Sequence, residues 1–222
     1  YVFKHLFQND KDTDVVEWTL DGLRQVMAIK SRVVLPYLVP QLTAPPANTK
    51  ALSILASVAG EALNKYLPRI LPALQTTLAA SRGTPDEAQQ LEYCQAVVLS
   101  VSDEVGIRTV IDTMLENTRN ENADQRRAAA TLLCGFCANS KAQYTAHVPQ
   151  LLRGLIHLCT DSDKDVLQMS WEALNAVTKT LDPKLQTTYV SDVRQAVRYA
   201  MSDMKGAQLL PGFCLPKGKE IL

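Results

Sequence analysis

The chain has 222 residues, 46% of them hydrophobic, and equal numbers of acidic and basic side chains, so its formal net charge is zero. That balance argues against non-specific phosphate binding, which needs clustered Lys and Arg, and no apolar run approaches the roughly 18 residues of a membrane span. Five cysteines, an odd number at uneven spacing, fit free thiols in a reducing compartment.

In chain order the pattern predicts helices over 14–30, 32–42, 48–63, 66–79, 86–101, 103–118, 123–139, 143–159, 165–181 and 184–204. The first carries the stripe Val15, Thr19, Gly22, Leu23, Val26, whose i, i+3/4, i+7 spacing gives one buried face. The second opens near Leu35-Pro36, where a proline in a first turn costs little. Ala44-Pro45-Pro46-Ala47 must be a turn, because consecutive prolines cannot continue a helix. Thr84-Pro85-Asp86-Glu87 and Ser140-Lys141-Ala142-Gln143 read as capping boxes. Asp182-Pro183 starts a further helix by cap and proline. No run alternates polar and apolar well enough to read as a strand. From Gly206 on the pattern breaks, and Pro211 to Gly218 reads as an extended or looping segment.

The segments repeat. Asp10, Asp12, Asp14, Gly22, Leu23 and Val26 return as Asp161, Asp163, Asp165, Ala173, Leu174 and Val177, all at an offset of 151. Leu35-Pro36-Tyr37-Leu38 reads like Leu67-Pro68-Arg69-Ile70 and like Val148-Pro149-Gln150-Leu151, with a weaker copy at Ile107-Arg108-Thr109-Val110. These anchors are 32, 40 and 41 residues apart. A period near forty built of paired helices predicts an all-α, HEAT-type α-solenoid of about five stacked helix pairs. The array covers residues 1–206, a piece of a longer solenoid, and 207–222 is an extended loop leading to a further repeat. Such an array presents surface, which favours binding over catalysis.

Candidate chemistry is sparse. The aspartate triplets at 10–14 and 161–165 resemble a calcium loop, and Glu172 even holds the twelfth position. Both fail where Val15 and Val166 replace the glycine of the sharp turn. They read instead as turns whose aspartates cap the next helix. Cys134-Gly135-Phe136-Cys137 lies inside a predicted helix with no strand before it and no second pair, so it reads as buried thiols and not as a redox or zinc site. His5, His147 and His157 form no triad in any local motif. No catalytic residue, cofactor or metal is expected. Trp18 and Trp171 stand in the same helix region of two repeats and read as core or groove-lining residues. In HEAT arrays an Asp at the turn and an Arg opening the second helix often form a ladder between repeats. Only Arg126 fits that arginine position, with Asn120 as its turn partner and Val16 and Leu167 in its place elsewhere, so the ladder reads as broken and the stack as irregular.

Specific wording goes further than period. The stretch from Gly22 to Pro40, Leu42-Thr43-Ala44-Pro45-Pro46, Gly83 to Glu87, Cys94 to Val101, Trp171 to Lys179 and Pro211 to Lys217 together resemble the family of general control non-derepressible translational activators, very large ribosome-associated HEAT proteins. The resemblance runs from about residue 15 to the end. It implies a non-catalytic scaffold segment in a cytoplasmic protein that senses stalled or collided ribosomes. That protein recruits and activates the kinase phosphorylating the α subunit of initiation factor 2. It implies the kinase's RWD domain, or another RWD-domain protein, as partner, the ribosome through the full-length protein, and neither membrane nor sequence-specific nucleic acid. Arg127, Arg194 and Arg198, on predicted helices outside the apolar stripes, are the candidate contact residues. The alternative from the repeat alone is another HEAT adaptor, such as a segment of a nuclear transport receptor. An enzyme using Cys134 and Cys137 is a third reading.

Overall fold

The computed structural model describes residues 13–159, 161–180, 214–215 and 219–220. Two compact units divide the chain, Tyr1–Val110 and Ile111–Leu222. Their boundary falls inside one helix, Glu104–Asn117.

In the first unit α1 spans Thr13–Leu42, but Lys30 has non-helical angles (φ −129°, ψ 18°) that bend it into two segments. The bend is the turn the sequence places between residues 30 and 32. Helix α2, Thr49–Ala59, begins where the Asn48 side chain accepts the Ala51 N–H at 2.9 Å. It stops four residues short of the expected end because Gly60 adopts a φ of +51°, a conformation that side chains disfavour. The chain continues as a 3-10 turn over Gly60–Tyr66. Helix α3, Leu67–Ala80, carries Pro68 in its first turn, as the Leu-Pro anchor predicts. Helix α4 spans Glu87–Leu99, and α2 packs along it, where the Thr49 hydroxyl donates to Gln90 Oε1 at 2.5 Å. The core between them is aliphatic, with Leu52, Leu55, Leu71, Leu74 and Val97 sealed from solvent.

The expected capping box at Thr84 is rearranged. Glu87 reaches back to the Gly83 N–H at 2.8 Å, while the Thr84 hydroxyl turns away to donate to the Ser81 carbonyl at 2.6 Å. Gly83 has a φ of +71°, and that turn moves the donating N–H one residue upstream. Helix α5, Glu104–Asn117, crosses into the second unit. Asp103 starts it by accepting the Gly106 N–H at 2.9 Å.

The second unit contains α6, Ala123–Asn139, α7, Val148–Leu158, and α8, Lys164–Thr180. Helix α8 packs on both α6 and α7. The box read at Ser140 does not start a helix. Ser140 ends α6 in extended backbone, its hydroxyl oxygen accepts the Ala142 N–H at 3.1 Å, and α7 begins only after a 3-10 turn at Thr145–His147. Buried Tyr144 fills the intervening loop, its ring tilted 44° to that of Phe136 at 5.7 Å and its hydroxyl donating to the Cys137 carbonyl at 2.8 Å. That anchoring holds residues 141–144 off the helix axis.

The segment read as a loop over 207–222 contains one short antiparallel pair, β1 (Cys214–Leu215) with β2 (Lys219–Glu220). Two-residue strands carry no alternation to read, and only the Pro and Gly between them hint at a reversal. The boundary at residue 206 and the predicted helix over 184–204 lie outside the described residues. Among the described residues no helix is long and apolar enough to cross a membrane. The helix pairs match the all-α repeat expected from the sequence.

Candidate interaction surfaces

Among the described residues of the second unit, the densest polar arrangement joins the start of α6 to the turn before α8. Asn122 caps α6 by accepting the Asp124 N–H at 2.8 Å, which sets Arg126 and Arg127 in the first turns. Arg126 meets Asp161 as a fork, Nε to Oδ2 at 2.7 Å and Nη2 to Oδ1 at 3.0 Å. Its Nη1 donates to the carbonyls of Asn120 and Glu121 at 3.0 and 2.9 Å. Arg127 donates through Nη1 to Asp124 at 2.7 Å and through Nη2 to Asp163. Its Nε stands 3.1 Å from Asp165 Oδ2, an ion pair off the hydrogen-bonding angle.

The aspartates use their other capacity on backbone. Asp161 Oδ1 also accepts the Asp163 N–H at 2.8 Å, and Asp163 Oδ1 accepts those of Asp165 and Val166 at 3.0 and 3.2 Å. Burial alone would raise the Asp163 carboxyl, but the Val166 N–H, Arg127 and the Asp165 N–H hold it below the usual range. The hydrogen bonds that Arg126 donates to Asp161 raise its guanidinium above its ordinary value. The triplet therefore caps α8, as expected, and also clasps two arginines.

Two readings change here. The arginine–aspartate ladder is present at this step, because the partner of Arg126 is the aspartate of the following turn; Asn120 contributes only a carbonyl. Arg127 is not on an open face. Its side chain is 15% exposed and committed to Asp124, Asp163 and Asp165. Helix periodicity places it outside the apolar stripe but cannot show a carboxylate arriving from thirty-six residues away. Arg194 and Arg198 lie outside the described residues.

The paired cysteines sit in the C-terminal part of α6. Both are buried, and Cys134 Sγ lies 4.0 Å from Glu172 Oε2 on α8. Burial, then the charge of Glu172, pushes the Cys134 thiol up to about 11, and burial drives Cys137 higher still. Burial also pushes Cys94 and Cys159 up to about 12. Such thiols hold their protons at neutral pH and are poor nucleophiles.

One surface had no sequence signal beyond a glycine in a leucine-rich helix. A groove of about 530 Å3 between α5 and α7 is lined by Asp112, Glu116, Arg119, Gln150, Arg153 and His157. Gly154 lets the two helices close on Leu115 at its floor. Gln150 Nε2 donates to Asp112 at 2.5 Å across it. Its charge is mixed, which suits a protein segment better than a phosphate backbone. The two tryptophans part company. Trp171 is 5% exposed in its unit, whereas Trp18 is 83% exposed in the other.

The comparisons with known proteins agree with this architecture. The family model described as "Stalled ribosome sensor GCN1-like, HEAT repeats" matches residues 34–217. The human protein described as "Stalled ribosome sensor GCN1" is 49% identical over 216 residues, 97% of this chain and 8% of that protein. The Dictyostelium discoideum protein described as "eIF-2-alpha kinase activator GCN1" is 33% identical over 217 residues, 96% of this chain and 8% of its own. The chain thus spans 8% of the length of these curated relatives. A solved chain from "Structural Basis of Microtubule Plus End Tracking by XMAP215, CLIP-170 and EB1" superposes with a TM-score of 0.57 at 16% identity, over 93% of this chain and 92% of that one. That likeness is one of fold alone.

Proposed function

The chain belongs to the family of stalled ribosome sensor GCN1-like HEAT repeats, and from that premise we propose that it is a non-catalytic scaffold segment of a cytoplasmic, ribosome-associated translational activator. In this reading the whole polypeptide senses stalled or collided ribosomes. It then recruits and activates the kinase that phosphorylates the α subunit of initiation factor 2. The observation that carries it is the family match over 34–217, joined to relatives described as a ribosome sensor and as a kinase activator. Buried, protonated cysteines fit a surface-presenting role better than thiol chemistry.

For this segment the proposed task is to form or position the docking surface for the kinase's RWD domain, with the ribosome engaged through the whole polypeptide. With zero net charge, affinity would come from shape and a few anchors, not from bulk attraction. Arg194 and Arg198 are the proposed anchors. Arg127 is assigned to holding α6 and α8 together, because a partner would have to displace three aspartates to reach it.

The test is a pull-down of the kinase's RWD domain by the full polypeptide. It compares wild type, Arg194→Glu with Arg198→Glu, and a deletion of residues 13–180. The reading expects at least a tenfold loss from the double substitution and loss from the deletion. Undiminished binding by both variants would reduce the segment to a spacer.

A further inference from the structure

The groove between α5 and α7 carries charges that the fold leaves without counter-charges. Its lining runs from Asp112 to Arg119 on α5 and the turn after it, about 10 Å along the axis, the reach of about three residues of extended chain. Asp112 is engaged by Gln150, which donates to it at 2.5 Å. Further along the lining stand exposed Glu116, Arg119 and Arg153. Among the described residues the side chains of Glu116 and Arg119 form no hydrogen bond or ion pair. Arg153 uses only its Nε, on the Pro149 carbonyl of its own helix at 3.2 Å.

These groups differ from the arginines at the start of α6. Arg126 and Arg127 meet aspartates of this chain, whereas Arg119 and Arg153 line the groove with only the carboxylate of Glu116 uncommitted beside them. Arg119 is held from beneath. Thr118 is buried, its N–H donates to the Met114 carbonyl at 3.0 Å and its hydroxyl to that of Leu115 at 2.7 Å. The Arg119 N–H donates to the Glu116 carbonyl at 3.0 Å. A backbone fixed in this way lowers the ordering cost of a contact made by its side chain. The floor is apolar, with Leu115 against Gly154.

We propose that this groove seats an extended, acidic segment of a partner protein, with carboxylate held by Arg119 and Arg153 and a neighbouring apolar side chain laid on Leu115. A carboxylate offers a guanidinium two oxygens at the spacing of its donor fork, and arginine is enriched where such contacts anchor an interface. A nucleic acid fits less well. Its phosphates recur along the whole strand, and Asp112 and Glu116 stand in the same lining. An isolated carboxylate can meet the arginines and still avoid both acids. The inference stands apart from the kinase reading, whose proposed anchors are Arg194 and Arg198, so either can fail alone.

Fluorescence anisotropy tests this with the full polypeptide. The dye-labelled probes are a short peptide centred on Asp-Leu-Glu, the same peptide with both acids replaced by lysine, and single-stranded oligouridine of matching length. The acidic peptide should bind saturably, with at least a tenfold loss for Arg119→Glu with Arg153→Glu. That variant should bind the lysine peptide at least tenfold more tightly than wild type does, an exchange that a misfolded protein could not show. Absence of saturable binding by wild type would overturn the proposal, as would equal binding of the acidic peptide by the variant. So would oligouridine that binds more tightly than the acidic peptide and is lost in the variant, which assigns the groove to nucleic acid. A variant that loses the acidic peptide without gaining the lysine one would overturn the charge pairing.

Discussion

Arg126 grips both carboxylate oxygens of Asp161, at 2.7 and 3.0 Å, while its remaining nitrogen holds the carbonyls of Asn120 and Glu121. One side chain therefore ties together the loop before α6, the first turns of α6 and the turn before α8. The planar guanidinium makes this feasible, since its donors form a fixed fork that an ammonium lacks.

Replacing Arg126 with alanine should destabilise the chain by about 2 kcal/mol, the scale of hydrogen bonds to charged groups that are mostly buried. Arg126→Lys should recover less than half, because charge returns without the fork. In urea unfolding, the double variant with Asp161→Ala should lose less than the sum of the single losses. Strict additivity would mean that the two side chains are not energetically coupled.

Acid should loosen the same junction at Asp163 and, separately, the start of α5 at Asp103. Asp163 and Asp103 both have folded-state pKa values below the ordinary carboxylate value. For each, burial acts the other way and is outweighed by hydrogen bonds, to Asp163 from Val166 and Arg127 and to Asp103 from Gly106 and Asn64. Their stabilisation is complete above the unfolded value near ~3.9 and is lost as pH falls through the lower folded values. Urea midpoints should fall steeply below about pH 4. Asp163→Asn should flatten that fall, and an unchanged slope would remove Asp163 from the account.

The thiols give a third check. Cys94, Cys134, Cys137 and Cys159 are all buried, with thiol pKa values raised by burial. A disulfide reagent at pH 7 should label them far more slowly than an exposed thiol, with Cys134 the least slow because its pKa, about 11, is raised least. Labelling of either Cys134 or Cys137 within seconds in the folded protein would contradict the buried arrangement.

Two glycines should respond differently to alanine. At Gly106 a Cβ would stand 2.5 Å from Val101 Cγ1, 2.7 Å from Asn64 Oδ1 and 2.9 Å from Asp103 Oδ2. It would thus press on a stiff β-branched side chain and on the cap of α5. The helix-propensity gain of about 1 kcal/mol is then outweighed by overpacking of about 1–3 kcal/mol. At Gly154 the close neighbours are the Leu115 methyls, at 2.5 and 3.1 Å, which can swing aside. Gly154→Ala should be near neutral in stability. Thermal melts in which Gly154→Ala is the worse variant would reverse this assignment.

Much of the fold was legible because its signals are local. The bend at Lys30, the turn at residues 44–47, the Leu-Pro start of α3, the Val-Pro start of α7 and the 17 residues of α6 follow from helical period, proline and side-chain caps. The errors were local rules overridden by neighbours. Gly60 cut α2 short by its positive φ, and Tyr144, anchored on Cys137, delayed α7. Glu87 chose Gly83 over Thr84.

Taken by itself, the order of amino acids determined that this chain is a repeat of paired helices and which family it resembles, because amphipathic period, turn chemistry and particular strings are properties of contiguous residues. Tertiary structure decided which charges meet, that Arg127 faces inward while Trp18 faces water, and that Gly154 lies against Leu115 in the lining of a groove. Those outcomes depend on how helices some thirty-five residues apart are set against each other, and no pattern within a single helix encodes the position of its neighbour's side chains.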